Sequence, residues 1–336
     1  MSSPPFSTVR IATRRSPLAL AQTRWVADRL RAAFSGIGIE EVLVETKGDQ
    51  VIDQPLAKIG GKGLFINEVE AQLADGHADI AVHSMKDVPD ELADGFGILA
   101  VPEREDPRDV LVTEHGLDLS ELPQGAVVGT SSLRRSCQLR AARPDLSFRV
   151  IRGNVGTRLR KLDEGDYDAI VLAYAGLLRL SLDVERKFTA IPVDTSVPAV
   201  GQAALGIEGR ASDPRLQELL RTLEHGPTRL AVEAERAYLS RLQGSCTTPI
   251  AAYARFDDEG RTRMRMDGMV GSVDGESLLS ASVDGYVDSA DHAERLQQAT
   301  RMGVELAEMM LDRGAADLIR AAKETDDPYE VGPYRH

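Results

Sequence analysis

Cysteine is scarce in this chain of 336 residues: there are two, Cys137 and Cys246, more than a hundred positions apart. That excludes a disulfide framework and any Cys-x-x-Cys metal or redox motif, and both thiols are expected to be reduced. Long apolar runs are missing too. The longest nearly apolar stretch, Ala169 to Leu178, is about half of the roughly 20 residues that a membrane helix needs. The segment Met1 to Ser7 lacks the basic start and apolar run of a secretory signal, so a cytoplasmic location is expected, with no membrane partner. Aromatics are few, one tryptophan, seven tyrosines and seven phenylalanines, and 42% hydrophobic with 28% charged residues is the composition of a globular protein. The formal net charge of −13 repels phosphate backbones, so nucleic acid is not an expected partner. In so acidic a chain, a local cluster of arginines is informative.

The length fits two or three domains. From residue 9 onward, β-branched runs alternate with helical stretches, the pattern of an α/β fold with a largely parallel sheet. Val9 to Thr13 leads into Ser16-Pro17, a cap and first-turn pair, then a helix with Leu18, Trp25, Leu30 and Phe34. Asp79 to Ser84 leads into Met85-Lys86-Asp87-Val88-Pro89, where the proline ends regular structure. Val127 to Thr130 leads into Ser131-Ser132, which can cap a helix carrying Arg134 and Arg135 in its first turn. Phe148 to Arg152 reaches Gly153-Asn154-Val155-Gly156-Thr157-Arg158, a glycine-containing turn before another helix. The apolar run Ala169 to Ala173 reads as a buried parallel strand, with Arg179 beyond its end. After Gly226 the pattern becomes a helix near Leu230–Leu242, three strands over 251–256, 263–270 and 278–283, and a closing helix, which is a small α+β domain with an antiparallel sheet.

Ligands of open α/β sheets bind beyond the carboxyl ends of strands, where helix N-termini offer free N–H groups. Arg14, Lys86, Arg134, Arg135, Arg152, Arg158 and Arg179 fall at such places. Guanidinium forks grip carboxylates and phosphates, so the set implies a ligand with several anionic groups, although any one of these cations alone could be a solvated surface residue. Arg134 and Arg135 oppose the helix dipole in a first turn, a placement that asks for a ligand. Asp87 is the one acid among these cations. It can exchange a proton or steady a developing cation, or it can be an ion pair with Lys86 or a cap. Cys246, in Gly244-Ser245-Cys246-Thr247-Thr248-Pro249 after the helix, is the best soft nucleophile of the chain if exposed and an inert thiol if buried; Cys137, within a helix, reads as inert. Gly60-Gly61-Lys62-Gly63 lacks the spacing of a phosphate loop and fits better as a glycine-rich lid with Lys58, Lys62 and Phe65. The six histidines form no metal-ligand spacing, and no metal is expected.

The segments Arg10 to Leu20, Gly60 to Phe65, His83 to Pro89, Gly129 to Arg135, Arg152 to Arg158 and Pro198 to Gln202, in this order and spacing, resemble the hydroxymethylbilane synthase family, also called porphobilinogen deaminases. The resemblance runs from near Arg10 to the last helix. It implies two lobes built like type II periplasmic binding proteins plus the small third domain. The implied divisions are domain 1 over 5–102 and 203–224, domain 2 over 103–202, domain 3 over 225–324, and a loose tail over 325–336. It implies a transferase of tetrapyrrole (haem) biosynthesis that joins four porphobilinogens head to tail on a dipyrromethane primer, held as a thioether on Cys246. Ammonia leaves at each addition, and water finally releases hydroxymethylbilane. Asp87 then matches the catalytic acid. Arg14, Ser16, Lys86, Thr130, Ser132, Arg134, Arg135, Arg152, Gly153, Asn154, Arg158 and Arg179 match positions that bind cofactor or substrate, and a monomer is expected. Two positions depart from the family pattern: Ser245, where many relatives have a second glycine before the cysteine, and Ala203, where glycine is expected after Gln202. The second removes backbone freedom at the return between domains.

A non-catalytic protein of the same two-lobed architecture could also hold a polyanion with these arginines. A secreted solute binder needs neither Asp87 nor a cysteine in a third domain. An acyl- or phosphoryl-transfer enzyme needs a nucleophile–base pair or a metal motif that the sequence lacks.

Overall fold

The computed structural model of the chain describes residues 5–46, 66–184, 186–244, 248–258 and 261–325. Lys58, Lys62, Phe65 and Cys246 lie outside these residues, as does the tail from 326. In chain order the structure builds β1 (Thr8–Arg14), α1 (Pro17–Ala33), β2 (Gly38–Val44), α2 (Asn67–Ala74), β3 (Ile80–Ser84), a 3-10 turn (Met85–Asp87) and β4 (Phe96–Ala100). Next come β5 (Asp109–Val112), β6 (Val127–Gly129), α3 (Leu133–Ala142), β7 (Ser147–Arg149), α4 (Val155–Asp163), β8 (Ala169–Ala173), α5 (Tyr174–Arg179) and β9 (Phe188–Ala190). The chain continues as β10 (Leu205–Arg210), α6 (Pro214–Leu220), α7 (Gly226–Arg241), β11 (Ile250–Phe256), β12 (Arg263–Gly271), β13 (Leu278–Tyr286), α8 (His292–Asp312) and α9 (Ala315–Glu324). Contacts gather it into two units, Met1–Glu105 with Ala203–Arg229, and Asp106–Gln202 with Leu230–His336.

The first unit has one sheet, ordered β2-β1-β3-β10-β4, in which β10 alone runs antiparallel to its neighbours. Alternation along β1 sends Ile11 to a core shared with Val26, Leu30, Ile80 and Ile207, and Ala12 to the opposite core with Val69, Leu73 and Ala81. Ser16 caps α1 by accepting a hydrogen bond from Ala19 N–H, with Pro17 in the first turn. Gly206 on β10 leaves room for Met85, because a Cβ there would collide with the Met85 sulfur. That close approach seats the turn carrying Lys86 and Asp87 against the sheet. The largely parallel sheet expected from the sequence is thus parallel except for an inserted strand supplied from a hundred residues downstream. Such a pairing leaves no local signal.

The α/β part of the second unit repeats the plan. Its sheet is ordered β7-β6-β8-β5-β9, and β5 alone is antiparallel to its neighbours. Leu111, Val128, Val171 and Leu139 fill one face, while Val110, Ile170, Leu172 and Leu159 fill the other. The same unit contains the antiparallel sheet β11-β12-β13. Its inner face packs Met264, Met266 and Val270 against Tyr238 of α7 and Met302 and Leu306 of α8. The expected three-strand meander is there, with its helix beginning at Gly226, four residues earlier than the apolar pattern alone suggests.

α3 is held between these two parts. Its Cys137 packs with Val197, Ala251 and Met269, and its Leu133 with Val273 and Ala322. A Cβ at Gly271 would sit 2.9 Å from the Cys137 sulfur, so the hairpin can lie this close only with glycine there. Arg140 donates to the carbonyl of Asp274 at 3.0 Å and fastens the hairpin tip to the helix. Burial pushes the Cys137 thiol up to about 12, so it is an inert packing group.

Candidate active site

In the first unit, the carboxyl ends of β1 and β3 border a small cavity of about 40 Å³ lined by Thr13, Arg14, Gln22, His83, Ser84 and Asp87, among others. β1 delivers Arg14 and β3 delivers Ser84, with Lys86 and Asp87 exposed on the turn that follows. The Asp87 side chain has no hydrogen bond or ion pair with another described residue, so an ion pair of Asp87 with Lys86 is not formed. Gln22 of α1 donates to Ser84 Oγ at 2.9 Å and braces the wall. Ser16, half-buried, spends its hydroxyl on the cap of α1.

In the second unit the arginines divide into two groups. Arg134 and Arg135, 5% and 7% exposed, converge on the fully buried carboxylate of Asp109 on β5. Arg134 Nη1 donates to Asp109 Oδ2 at 2.7 Å, and Arg135 Nη2 and Nε donate to Oδ1 at 2.8 and 3.0 Å. Ser196 Oγ and Gln202 Nε2, each at 2.9 Å, complete the shell. Burial pushes this carboxyl up, but the two guanidiniums overcome it and hold it well below the ordinary value of 3.8. The first-turn placement, which asked for a ligand, is met by a carboxylate of the protein itself. The inference from dipole to ligand is corrected to that extent.

Arg152 and Arg158 form the other group. Arg158 Nε donates to the carbonyl of Gly153 at 2.8 Å, and neither arginine has an ion pair among the described residues. Burial, then the charges of Arg135 and Arg152, push Arg158 down to about 10. One carboxylate, Asp109, thus stands against the four guanidiniums of Arg134, Arg135, Arg152 and Arg158. Burying like charges together without counter-charge costs folding energy, and a group bearing several carboxylates is the chemistry that relieves it. The donor set fits such a group.

The remaining expected residues shape this end of the sheet. Thr130 Oγ1 accepts from Ser132 N–H, and Ser132 caps α3 by accepting from Arg135 N–H. Asn154 caps α4 by accepting from Thr157 N–H at 2.9 Å. Gly153, at φ +109, has the Thr157 side chain where a Cβ would be, so no other residue fits the turn that presents Arg158. Arg179 ends α5, half-buried. Sequence reasoning missed Asp109, Ser196 and Gln202 as partners of the arginines. The available signal was Asp109 itself, an acid opening the apolar strand Asp109-Val110-Leu111-Val112, where only a buried cation makes a carboxylate tolerable.

The fold and site define a class: two α/β sheets of one topology, each with a single inserted antiparallel strand, an added antiparallel domain, and cations gathered beyond strand ends. The family model described as porphobilinogen deaminase, dipyrromethane cofactor binding domain, matches residues 9–218, and that for the porphobilinogen deaminase C-terminal domain matches residues 229–312. The chain belongs to the porphobilinogen deaminase family, whose members are transferases of porphyrin biosynthesis, and its activity is that of a hydroxymethylbilane synthase.

Solved structures similar to the chain include the periplasmic VFT2 domain of BvgS from Bordetella pertussis, 17% identical with a TM-score of 0.39, over 65% of this chain and 86% of that one. Substrate-binding domain 2 of GlnP from Lactococcus lactis is 14% identical with a TM-score of 0.40, over 66% of this chain and 90% of that one. The alkanesulfonate-binding protein SsuA from Xanthomonas axonopodis pv. citri is 13% identical with a TM-score of 0.36, over 71% and 81%. No helix among the described residues is long and apolar enough to cross a membrane.

Proposed function

We propose that in this synthase Asp87 is the catalytic carboxyl, that Cys246 carries the dipyrromethane as a thioether, and that the arginines bind the acetate and propionate groups of cofactor and substrate. The observation that carries the reading is the set Arg135, Arg152 and Arg158: burial, then the charges of Arg135 and Arg152, push Arg158 down to about 10. Arg152 and Arg158 have no carboxylate partner among the described residues and are the first candidates to hold the cofactor. Arg134 and Arg135 supply field from behind them, fixed by Asp109. When bound, the dipyrromethane supplies the pyrrole terminus to which substrate units are joined. Arg14, Ser16, Lys86 and Arg179 bind side chains of substrate and growing product, with Thr130, Ser132, Gly153 and Asn154 shaping the arginine turns.

Porphobilinogen loses its amine as ammonia: the C–N bond breaks with its electron pair going to nitrogen, and a cation remains on the pyrrole. Asp87, exposed at the rim of the cavity, keeps the amine protonated for departure and then faces the cation with its carboxylate. The glycine-rich stretch with Lys58, Lys62 and Phe65 is the lid in this reading. The three-domain division at residues 102, 202 and 224, a monomeric state and a cytoplasmic location belong to the same proposal, as do porphobilinogen as substrate, hydroxymethylbilane as product and a role outside nucleic acid and membrane binding.

The test is turnover of porphobilinogen by wild type and Asp87→Asn in parallel. Loss of general acid–base catalysis costs about 10²- to 10⁴-fold in kcat, with little change in KM. A variant with wild-type kcat would remove Asp87 from the chemistry.

A further inference from the structure

The sequence treated His83 only as a histidine without metal-ligand spacing, and the site as described does not use it. On β3 it is 7% exposed, and its Nε2 lies 2.7 Å from Oε2 of Glu208, a completely buried residue on the inserted strand β10. The other carboxylate oxygen of Glu208 is buried with no hydrogen-bond partner among the described residues. A buried, half-satisfied carboxylate is expensive and rare unless it serves a charge elsewhere. His83 also lines the cavity that holds Asp87 and Arg14. A carboxylate can only accept, so His83 donates its Nε2–H to Glu208, and in the neutral ring Nδ1 then carries the lone pair. That Nδ1 makes no hydrogen bond to any described residue and is the ring atom left for a ligand.

The neighbours agree with a cation-seeking role. Glu70 of α2 faces the pair. Burial pushes its carboxyl up, against the hydrogen bond from Ala93 N–H, and the charge of Glu208 adds to the rise. Asp87 contributes a further carboxyl from the turn, and Arg14 from β1 adds a cation to the cavity wall. Ser84 is already engaged by Gln22. A ligand seated here meets Arg14 with an anionic group and meets His83, Glu208 and Asp87 with a cationic one.

We propose that the His83–Glu208 pair is a positioning and specificity element that recognises the protonated aminomethyl group of the incoming substrate, accepting its N–H at His83 Nδ1 and holding its carbon–nitrogen bond beside Asp87. The proposal rests on porphobilinogen being the substrate. No bond is made or broken by the pair. Glu208 acts through the histidine, transmitting negative charge to the cavity without entering it, as carboxylates do behind histidines that bind metals.

The experiment compares porphobilinogen with an analogue bearing methyl in place of aminomethyl, using wild-type holoenzyme, Glu208→Gln and His83→Gln. KM and kcat are read for the first ligand and the inhibition constant for the second. Losing one charge-assisted hydrogen bond raises KM for porphobilinogen about tenfold in either variant, while the analogue binds within about twofold of wild type. A merely structural role weakens both ligands together, and that result overturns the proposal. If neither variant folds, the wild type alone decides: equal affinity for the two ligands overturns it. Equilibrium titration separates the two levels. A wild type that prefers the amine-bearing ligand but does not turn it over contradicts the reaction assigned above and leaves this pair standing, whereas binding of neither ligand contradicts both.

Discussion

Nη2 of Arg135 lies 2.8 Å from Oδ1 of Asp109, and this contact joins the first turn of α3 to the strand inserted antiparallel in the second sheet. Arg134 shares the same carboxylate, and Gln202 reaches it from the segment in which the chain returns to the first unit. One acid therefore fixes two arginines and the end of the returning chain. The arginines keep a net positive charge, because two guanidiniums share a single carboxylate.

Asp109→Asn removes that charge while keeping the shape. Breaking a buried ion pair from one side costs about 3–5 kcal/mol, which denaturant unfolding will read as a shift in midpoint. The sign with pH follows from a carboxyl held below its ordinary 3.8: its stabilisation is complete above that value and is lost only as pH falls through the lower folded-state value. The difference between wild type and variant should therefore persist across neutral and mildly acidic pH. It should shrink only in strong acid.

Arg158→Met tests the cost of the uncompensated cations. Arg158 is half-buried and pushed down to about 10, so its charge opposes folding below that pH, and the opposition fades as pH rises through about 10. Discounted for partial exposure, replacing it should stabilise the cofactor-free protein by about 1 kcal/mol. The same variant should retain less cofactor and elongate poorly. A variant both less stable and fully active would contradict the role given to Arg158.

Ala203 sits at φ +70, immediately beyond Gln202 and two residues after Gly201 at φ +69. A non-glycine residue there costs about 1–2 kcal/mol. Ala203→Gly should leave stability unchanged or raise it by about 0.5 kcal/mol, since relief of strain exceeds the added freedom of the unfolded chain. Ala203→Val should lower it by about 2 kcal/mol or more, because β-branched side chains rarely tolerate positive φ. Urea unfolding of the two variants provides the comparison.

Much of this was legible in the sequence because it is local. The Ser16–Pro17 start of α1, the Ser132 cap and the turn before α4 follow from side chains a few residues from the backbone groups they satisfy. The strands that lead to Arg14, to the turn with Asp87 and to the helix with Arg158 follow from periodicity. What the sequence could not display is partnership at long range. Asp109 meets Arg134 across 25 positions, His83 meets Glu208 across 125, and β10 enters its sheet from beyond a whole lobe. Ala203 was visible as a departure from the family pattern, but its left-handed backbone emerges only from the fold. Lys58, Lys62, Phe65 and Cys246 lie outside the described residues, and their roles rest on the resemblance and the family.

The central claim is a polyanionic primer bound by these arginines and tethered to Cys246. Intact mass of the denatured protein beside Cys246→Ser tests it most directly, since a thioether survives denaturation and a merely bound ligand does not. The account predicts a wild-type mass exceeding that of its sequence by two pyrrole units, with no such excess in the variant. A wild type at the bare sequence mass, even after incubation with porphobilinogen, would contradict it.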